Sequence, residues 1–266
     1  MHSKSWSDTA INELLLIVLV PLFFAISIIY SSVGFAGGSS YIAILVLVGV
    51  NLYTIPPVSL ALNIVVASTA LFNYLRAGHL SLRISIPLLI SVPFAFIGGS
   101  TVLPENILIL IFVIALFSAS AMLLLSGNQI KIRQEQIRKL NLSLPRLSLI
   151  TLPLGAILGT VSGLVGIGGG IWLSPILILT GLANPKTAAA SASLFILTNS
   201  VSGLVAHSIT QEVDFALILP LAFVVLLGGF LGSRLGAFKL SHEKLIFIVG
   251  IIVPVAGINL ATRLFK

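Results

Sequence analysis

Two glycine-rich clusters are the parts of this sequence best suited to hold a small ligand. They span residues 34–40 and 166–170, and each leads into an apolar segment too short to cross a membrane comfortably, 40–50 and 171–182. A glycine costs about 1 kcal/mol relative to alanine inside a helix, so both clusters should interrupt the helix. A helix that restarts after such a break has unpaired N–H groups and a partly positive N-terminus. The clusters therefore predict two half-helix N-termini that bind an anion without any formally charged side chain.

The second cluster is followed by clear helix-boundary signals. Ser174 and then Pro175 are typical of a helix start, and Gly181 is typical of a helix end. The alternative interpretation is that the glycines only let neighbouring helices pack closely, as small residues do in membranes. Two clusters at matching positions, each before a truncated segment, favour a binding site.

Neutral polar side chains supply the remaining donors, because every Asp, Glu, Lys and Arg lies in a loop or near the end of an apolar segment. A charge in mid-membrane costs about 2.5–3.5 kcal/mol and usually marks an ion path or a proton relay. The sequence offers no such carboxylate for binding a cation or relaying protons. Hydroxyl, carboxamide and backbone donors suit a small oxyanion, although a hydroxyl that bonds only to its own helix is the alternative at each position. The predicted substrate-binding residues are Gly37, Gly38, Ser39, Ser40, Asn63, Ser68, Gly168, Gly169, Gly170, Ser191, Ser193, Thr198, Asn199 and Ser200.

Four other residues have two interpretations each. His79 and His207 lie near segment ends, where they are interfacial residues first and proton-handling groups second. Arg76 and Arg234 anchor the topology or, in the minority interpretation, attract anions to one end. Neither His-Glu-x-x-His nor Gly-x-Ser-x-Gly occurs, and the chain has no cysteine. We therefore predict no catalytic residue, no metal site and no cofactor.

Membrane helices must position these residues. The chain has 266 residues, of which 58% are hydrophobic and 8% charged, whereas soluble domains are about 25% charged. The apolar runs are continuous and not alternating, which favours helices over a β-barrel. The net charge of +7 lies mostly in short loops, so it indicates membrane topology and not nucleic-acid binding. The apolar segments cover approximately 12–33, 40–50, 56–75, 84–103, 107–126, 148–165, 171–182, 187–208, 215–233 and 245–262.

The two halves of the chain repeat one five-segment unit. Shifting one half by 132 residues matches Gly, Pro and Ser residues in fixed order. The matches include Gly34 with Gly166, Gly37 with Gly169, Gly38 with Gly170, Gly49 with Gly181, Ser59 with Ser191, and Ser68 with Ser200. We therefore predict an all-α membrane protein with a first repeat over 1–126, a basic linker over 127–147 and a second repeat over 148–266.

The distribution of Lys and Arg predicts the orientation of the halves. If the first two segments of each half return to the side they came from, 11 of the 14 basic residues share the side of the central linker. The halves then have inverted topology, each with a re-entrant or broken short helix, and the linker is cytoplasmic. If each broken pair is instead treated as one span, 10 basic residues lie on the side of the linker and 4 on the opposite side, and the two halves are parallel. We favour the inverted arrangement because it also places the acidic turn 211–214 outside.

Five motifs together resemble a known family. The second half has GLVGIGGG at 163–170, ASASLF at 190–195 and TNS at 198–200, while the first half has GFAGG at 34–38 and YLRAG at 74–78. The arrangement resembles the TauE/SafE family of sulfite exporters, within the 4-toluene sulfonate uptake permease superfamily, over essentially the whole chain.

The resemblance implies a multi-pass permease of the bacterial inner membrane for sulfite, sulfonates or related sulfur oxyanions, with export as the expected direction. A homodimer is one candidate assembly. Ala36 and Ser39 stand where the second cluster has Gly168 and Ile171, so the two clusters are not equivalent. A related thiosulfate-uptake branch uses cysteines, and that mechanism does not carry over. The alternatives are a passive anion channel and a membrane scaffold without substrate.

Overall fold

A computed structural model describes residues 11–133 and 144–239, together with Ile258 and Ala261. Within these residues the chain forms ten helices and no strand. The first half contains α1 (Ile11–Ser31), α2 (Gly38–Leu47), α3 (Ile55–Arg76), α4 (Leu82–Leu88), α5 (Ser91–Ser100) and α6 (Glu105–Arg133). The second half contains α7 (Leu144–Val165), α8 (Gly170–Leu179), α9 (Pro185–Thr210) and α10 (Phe215–Phe238). Helix α6 extends into the predicted linker, whose centre lies outside the described residues, as does nearly all of the predicted last segment.

Five segments have the length and apolar composition needed to cross a membrane. They are α3, α4 together with α5, Glu105–Met122 of α6, α9 and α10. The α4–α5 span is locally interrupted because Pro87 and Pro93 lack the N–H groups that would continue the helix. Large apolar side chains remain exposed along these spans, as at Leu219 and Phe223. Such a surface suits lipid and not water, in agreement with the predicted helical multi-pass membrane protein.

Helices α3 and α9 form the antiparallel centre of the bundle. A Cβ built on Gly203, late in α9, would lie 3.2 Å from Leu60, early in α3. At the other end, Ala189 early in α9 packs in one cluster with Tyr74 late in α3. The beginning of each helix therefore lies beside the end of the other.

Opposite charges lie at opposite ends of the bundle. The Tyr53 hydroxyl donates to the Leu103 carbonyl at 3.1 Å, which joins the start of α3 to the start of α6. We call this the acidic end, because the acids with described side chains lie here, namely Glu105, Glu212 and Asp214. At the opposite end, Lys186 donates to the Ala237 carbonyl at 3.1 Å. This is the basic end, and the described basic side chains here are Arg76, Arg83, Lys186, Arg234 and Lys239.

Two helix pairs form hairpins inside the bundle, and each hairpin contains a glycine break followed by a short helix. Helix α1 runs from the acidic end beyond the middle, where its following residue Ser32 accepts a hydrogen bond from Tyr74. After a break, α2 returns to the acidic end with only ten residues. Helices α7 and α8 make the same hairpin from the basic end. Gly49 and Gly181 end the two short helices with left-handed backbone at φ 82° and 71°.

The start of α8 differs from the prediction. The helix begins at Gly170, its N-cap Gly169 lies five residues before the predicted cap Ser174, and Pro175 lies inside the helix. Gly169 has left-handed backbone at φ 74°, which already turns the chain into the helix. The missing N–H of Pro175 then costs only the bond to the Ile171 carbonyl.

Two glycine seams hold the hairpins against neighbouring helices. Gly228 and Gly232 on α10 approach α1, and Gly236 one turn later approaches the backbone of Ser32 just after α1, so closely that no Cβ would fit. On α7, Gly159 and Gly163 meet the backbone of α5 in the same way. At these seams the glycines act as close-packing residues, which was the alternative proposed for the two clusters.

Candidate functional site

Asn63 lies where the two glycine breaks meet. Its Nδ2 donates to the carbonyl of Gly166, in the second break, at 3.0 Å. A Cβ built on Gly38, in the first break, would lie 2.6 Å from the same Nδ2 and 2.9 Å from the carbonyl of Ile167. The two breaks therefore touch each other beside one carboxamide, at about the middle of α3.

Each break is also bonded to the central helix of the other half. Ser59 on α3 donates to the Gly166 carbonyl at 2.8 Å, and Ser193 on α9 donates to the Gly34 carbonyl at 3.1 Å. These carbonyls belong to left-handed glycines outside any helix, so a side chain must satisfy them in a membrane interior. The hydroxyls thus fix the breaks on the α3–α9 pair.

The N-termini of the two half-helices keep their backbone donors unpaired. Neither Gly37, which caps α2, nor Gly169, which caps α8, provides a side-chain cap. The N–H groups of Gly38 and Ser39, and those of Gly170 and Ile171, make no hydrogen bond to any described residue. Unpaired N–H groups in lipid cost several kcal/mol each by rough estimate, and a bound anion would remove that cost.

The two half-helix N-termini have different surroundings. In the first half, the Tyr30 hydroxyl is 2.6 Å from Ser40 Oγ and 3.1 Å from Ser39 Oγ. In the second half, Ile171 and Trp172 occupy the first turn, and the Trp172 Nε1–H donates to Ser118 on α6. The non-equivalence predicted from the sequence is therefore a hydroxyl-rich first N-terminus and an apolar second one.

The structure brings together most of the predicted binding residues, but not all of them. We call the place where the two breaks touch beside Asn63 the meeting point. The predicted residues around it are Gly37, Gly38, Ser39, Ser40, Asn63, Gly168, Gly169, Gly170 and Ser193. Ser68 is exposed and donates to the Ile64 carbonyl of its own helix. Thr198 likewise bonds back to Leu194. Both hydroxyls follow the alternative given for them, a bond to their own helix.

Three further predicted residues are buried on α9 without any bond to the breaks. Ser191 accepts a hydrogen bond from Ser85 at 2.9 Å. Asn199 donates to the Phe195 carbonyl of its own helix. Asn199 Oδ1 and Ser200 Oγ have no partner among the described residues. These two atoms are open to a ligand if the helices move.

Two residues at the site are absent from the predicted set. Ser59 carries a signal, because the predicted repeat matches it with Ser191, but its hydrogen bond to the Gly166 carbonyl depends on which helix faces the second break. Tyr30 carries none, since its hydroxyl reaches Ser40 only after the chain reverses at the first break.

The meeting point is closed to solvent from both ends. Asn63 and Ser193 have no exposed surface, and Ser39 and Ser40 are 1% exposed. A ligand bound here would be enclosed by protein, and it could enter or leave only if the helices moved apart.

Comparisons with known proteins place this architecture in a family. Residues 19–260 match the family model described as sulfite exporter TauE/SafE. A probable membrane transporter protein of Sinorhizobium fredii is 30% identical over 250 residues, which cover 91% of this chain and 96% of that protein. A probable membrane transporter protein of Bacillus subtilis is 32% identical over 104 residues, covering 39% of this chain and 38% of that protein. The sulfite exporter TauE/SafE family protein 1 of Arabidopsis thaliana is 31% identical over 122 residues, covering 43% and 26%.

No solved structure matches this chain. The family model covers both glycine breaks and the helices α3 and α9 that hold them. The resemblance inferred from the glycine motifs is therefore confirmed, and the chain belongs to the sulfite exporter TauE/SafE family of membrane transporters.

Proposed function

We propose that this membrane transporter carries a small sulfur oxyanion or organosulfonate, such as sulfite, and that it exports it across the bacterial inner membrane. The observation that carries the proposal is the pair of uncapped half-helix N-termini whose glycine breaks meet beside Asn63. Their N–H groups and partial positive charges suit an oxyanion. The name of the Arabidopsis relative, sulfite exporter TauE/SafE family protein 1, supports the substrate class.

An inverted repeat with alternating access fits this arrangement. Helices α3 and α9 occupy matching places in the two halves and run antiparallel. Helix α1 of the first half packs on α10 of the second, and the matching helix α7 of the second half packs on α5 of the first. The two halves are therefore joined by equivalent contacts. We infer that one half rocks against the other and opens the meeting point to each end in turn.

Burial favours a carrier over a passive channel. A channel needs a continuous polar path, whereas Asn63 and the hydroxyls around it are enclosed. The unpaired donors also favour transport over a scaffold role, because a scaffold gains nothing from uncapped helix ends inside a membrane.

Counterflow in proteoliposomes tests the transport proposal. We expect vesicles that contain the purified chain and are preloaded with unlabelled sulfite to take up radiolabelled sulfite with saturation. Taurine, sulfoacetate and thiosulfate, added as competitors, rank the related substrates. Flux that unlabelled sulfite on the far side does not stimulate would indicate a channel. The absence of sulfite counterflow, and of counterflow when each of the other three compounds is labelled in its place, would leave the scaffold as the better function.

Cysteine labelling tests the inverted topology, and the chain has no native cysteine to interfere. Glu105 follows α5 in the first half, and Glu212 follows α9 in the second. We expect Glu105→Cys and Glu212→Cys to react with an impermeant maleimide from the outer side of intact cells, and Arg76→Cys to react only after permeabilisation. Parallel halves would place Glu105 and Glu212 on opposite sides, so labelling of only one of them would reject the inverted model.

A further inference from the structure

Tyr41 carries a buried hydroxyl for which the packing of the helices gives no reason. The residue lies early in α2 and is completely buried, and its Oη makes no hydrogen bond within the described part of the chain. Its ring stacks on Phe23 of α1, with the centroids 4.7 Å apart and the planes inclined by 8°. A phenylalanine would make the same stack and would avoid burying an unpaired hydroxyl. The hydroxyl therefore points to a ligand and not to packing.

The side chain of Tyr41 is directed at the N-terminus of α2. Long side chains on a helix lean back over the preceding turn. A Cβ built on the N-cap residue Gly37 would lie 2.7 Å from Tyr41 Cζ and 2.9 Å from its Oη. The unpaired N–H groups of Gly38 and Ser39 begin the same turn. The hydroxyl thus lies beside the backbone donors on which the proposed anion site depends.

Three further hydroxyls lie at the same N-terminus. The Tyr30 hydroxyl contacts those of Ser39 and Ser40, and Tyr30 is close enough to Tyr41 to interact with it electrostatically. Each hydroxyl has one proton, and the two hydrogen bonds among the three hydroxyls use two protons. The third proton has no acceptor among the described residues. Two backbone N–H groups, the Tyr41 hydroxyl and this third proton are therefore free to donate to a ligand.

The N-terminus of α8 lacks most of this set. The predicted repeat matches Tyr41 with Leu173, which has no hydroxyl. A Cβ built on the N-cap Gly169 would lie 2.7 Å from the ring of Phe195 and 3.3 Å from Cβ of Ser162, whose hydroxyl is buried and unpaired among the described residues. The donors of this chain are therefore concentrated at the N-terminus of α2.

We propose that the N-terminus of α2 holds the oxygens of the anion, and that the Tyr41 hydroxyl donates to one of them. This inference rests on the proposed transport function, and it names the half of the protein and the side chain that bind the anion. The head group of sulfite or of a sulfonate carries its negative charge on oxygens, which accept hydrogen bonds from hydroxyl and N–H groups alike. Tyr41 keeps its proton throughout, so it binds the anion as a neutral donor.

The test compares three variants that each remove one hydroxyl. Tyr41→Phe removes the unpaired hydroxyl at α2 and keeps the stack on Phe23, whereas Ser162→Ala removes the unpaired hydroxyl at α8. The control is Tyr53→Phe, which removes a hydroxyl bonded to the Leu103 carbonyl at the acidic end. Sulfite affinity is measured from the shift of the thermal unfolding midpoint of the purified chain with added sulfite, and sulfite counterflow is measured in proteoliposomes.

We expect Tyr41→Phe to weaken the affinity for sulfite about tenfold to a hundredfold, because it loses a hydrogen bond to a charged group. Counterflow by this variant should need correspondingly more sulfite. Its unfolding midpoint without sulfite should equal or exceed that of the wild type, since the lost hydroxyl had no partner. Tyr53→Phe should behave in the opposite way, with a lower midpoint and an unchanged affinity. The loss of affinity in Ser162→Ala should be smaller than in Tyr41→Phe.

Wild-type affinity in Tyr41→Phe, with counterflow intact in the wild type, overturns the role of this hydroxyl and leaves the transport function standing. A loss of affinity in Ser162→Ala that equals or exceeds the loss in Tyr41→Phe overturns the assignment of the oxygens to α2. If sulfite neither stabilises the wild type nor shows counterflow, sulfite transport is overturned, and the assignment with it.

Discussion

Transport should be lost when Asn63 is replaced by aspartate. The carboxylate has the shape of the carboxamide and places a negative charge where the two breaks meet. Two unit charges 4 Å apart repel by about 4 kcal/mol at an effective dielectric constant of 20, which corresponds to about a thousandfold loss of anion affinity. This carboxylate would face the Gly166 carbonyl, and the partial positive charges of the α2 and α8 N-termini, whose breaks meet beside it, would offset part of that cost. Sulfite counterflow and the shift of the thermal unfolding midpoint by added sulfite measure the effect.

Asn73→Asp is the matched control, on the same helix. Asn73 is also buried, and its Nδ2 donates to Ser233 Oγ at 2.8 Å and to the Phe230 carbonyl. No half-helix N-terminus lies among the contacts of Asn73, so its carboxylate would face a carbonyl without compensation. We expect Asn73→Asp to lower thermal stability more than Asn63→Asp does, while the affinity for sulfite stays near that of the wild type. Wild-type affinity in Asn63→Asp would place the anion elsewhere, and equal stability losses would mean that the breaks carry no positive potential.

The helices and their breaks were predictable because lipid imposes simple rules on sequence. Long apolar runs identify α3, α9 and α10 closely, and the two glycine clusters fall at the predicted breaks. The predicted start of α8 was wrong. Ser174 is a good N-cap residue by its type, but the left-handed backbone of Gly169 turns the chain into the helix before Ser174 is reached. In such a cluster, the backbone conformation of the last glycine decides where the helix begins.

The assembly of the site was harder to predict from the sequence, because it depends on the direction in which each side chain points around its helix axis. Ser59 and Ser68 both lie on α3 and both match a serine in the second half, yet Ser59 reaches Gly166 while Ser68 points outward to lipid. The same holds for His207, whose bond to Gly163 depends on how α7 and α9 cross. A repeat identifies equivalent positions, but only packing shows which of them face the breaks.

Gly38→Ala is expected to reduce transport about a hundredfold, since a displacement of about 1 Å at a reacting site can cost that much. Gly38 has ordinary helical backbone, so alanine adds no strain of its own. Its Cβ would nevertheless lie 2.6 Å from Asn63 Nδ2 and 2.9 Å from the Ile167 carbonyl, closer than real Cβ contacts allow. The two breaks must then move apart, which separates the half-helix N-termini that hold the anion.

Gly49→Ala separates this effect from general damage to α2. Gly49 follows the same short helix, has left-handed backbone at φ 82° and has no atom within 4 Å of a built Cβ. Alanine there costs about 1–2 kcal/mol in backbone strain, and yet it touches nothing at the breaks. We therefore expect Gly49→Ala to lower the thermal unfolding midpoint but keep counterflow, and Gly38→Ala to lose counterflow with a comparable midpoint. If Gly38→Ala transports sulfite at the wild-type rate, close contact between the breaks is not what binds the anion. If both variants lose transport in proportion to stability, α2 serves the fold and not the site.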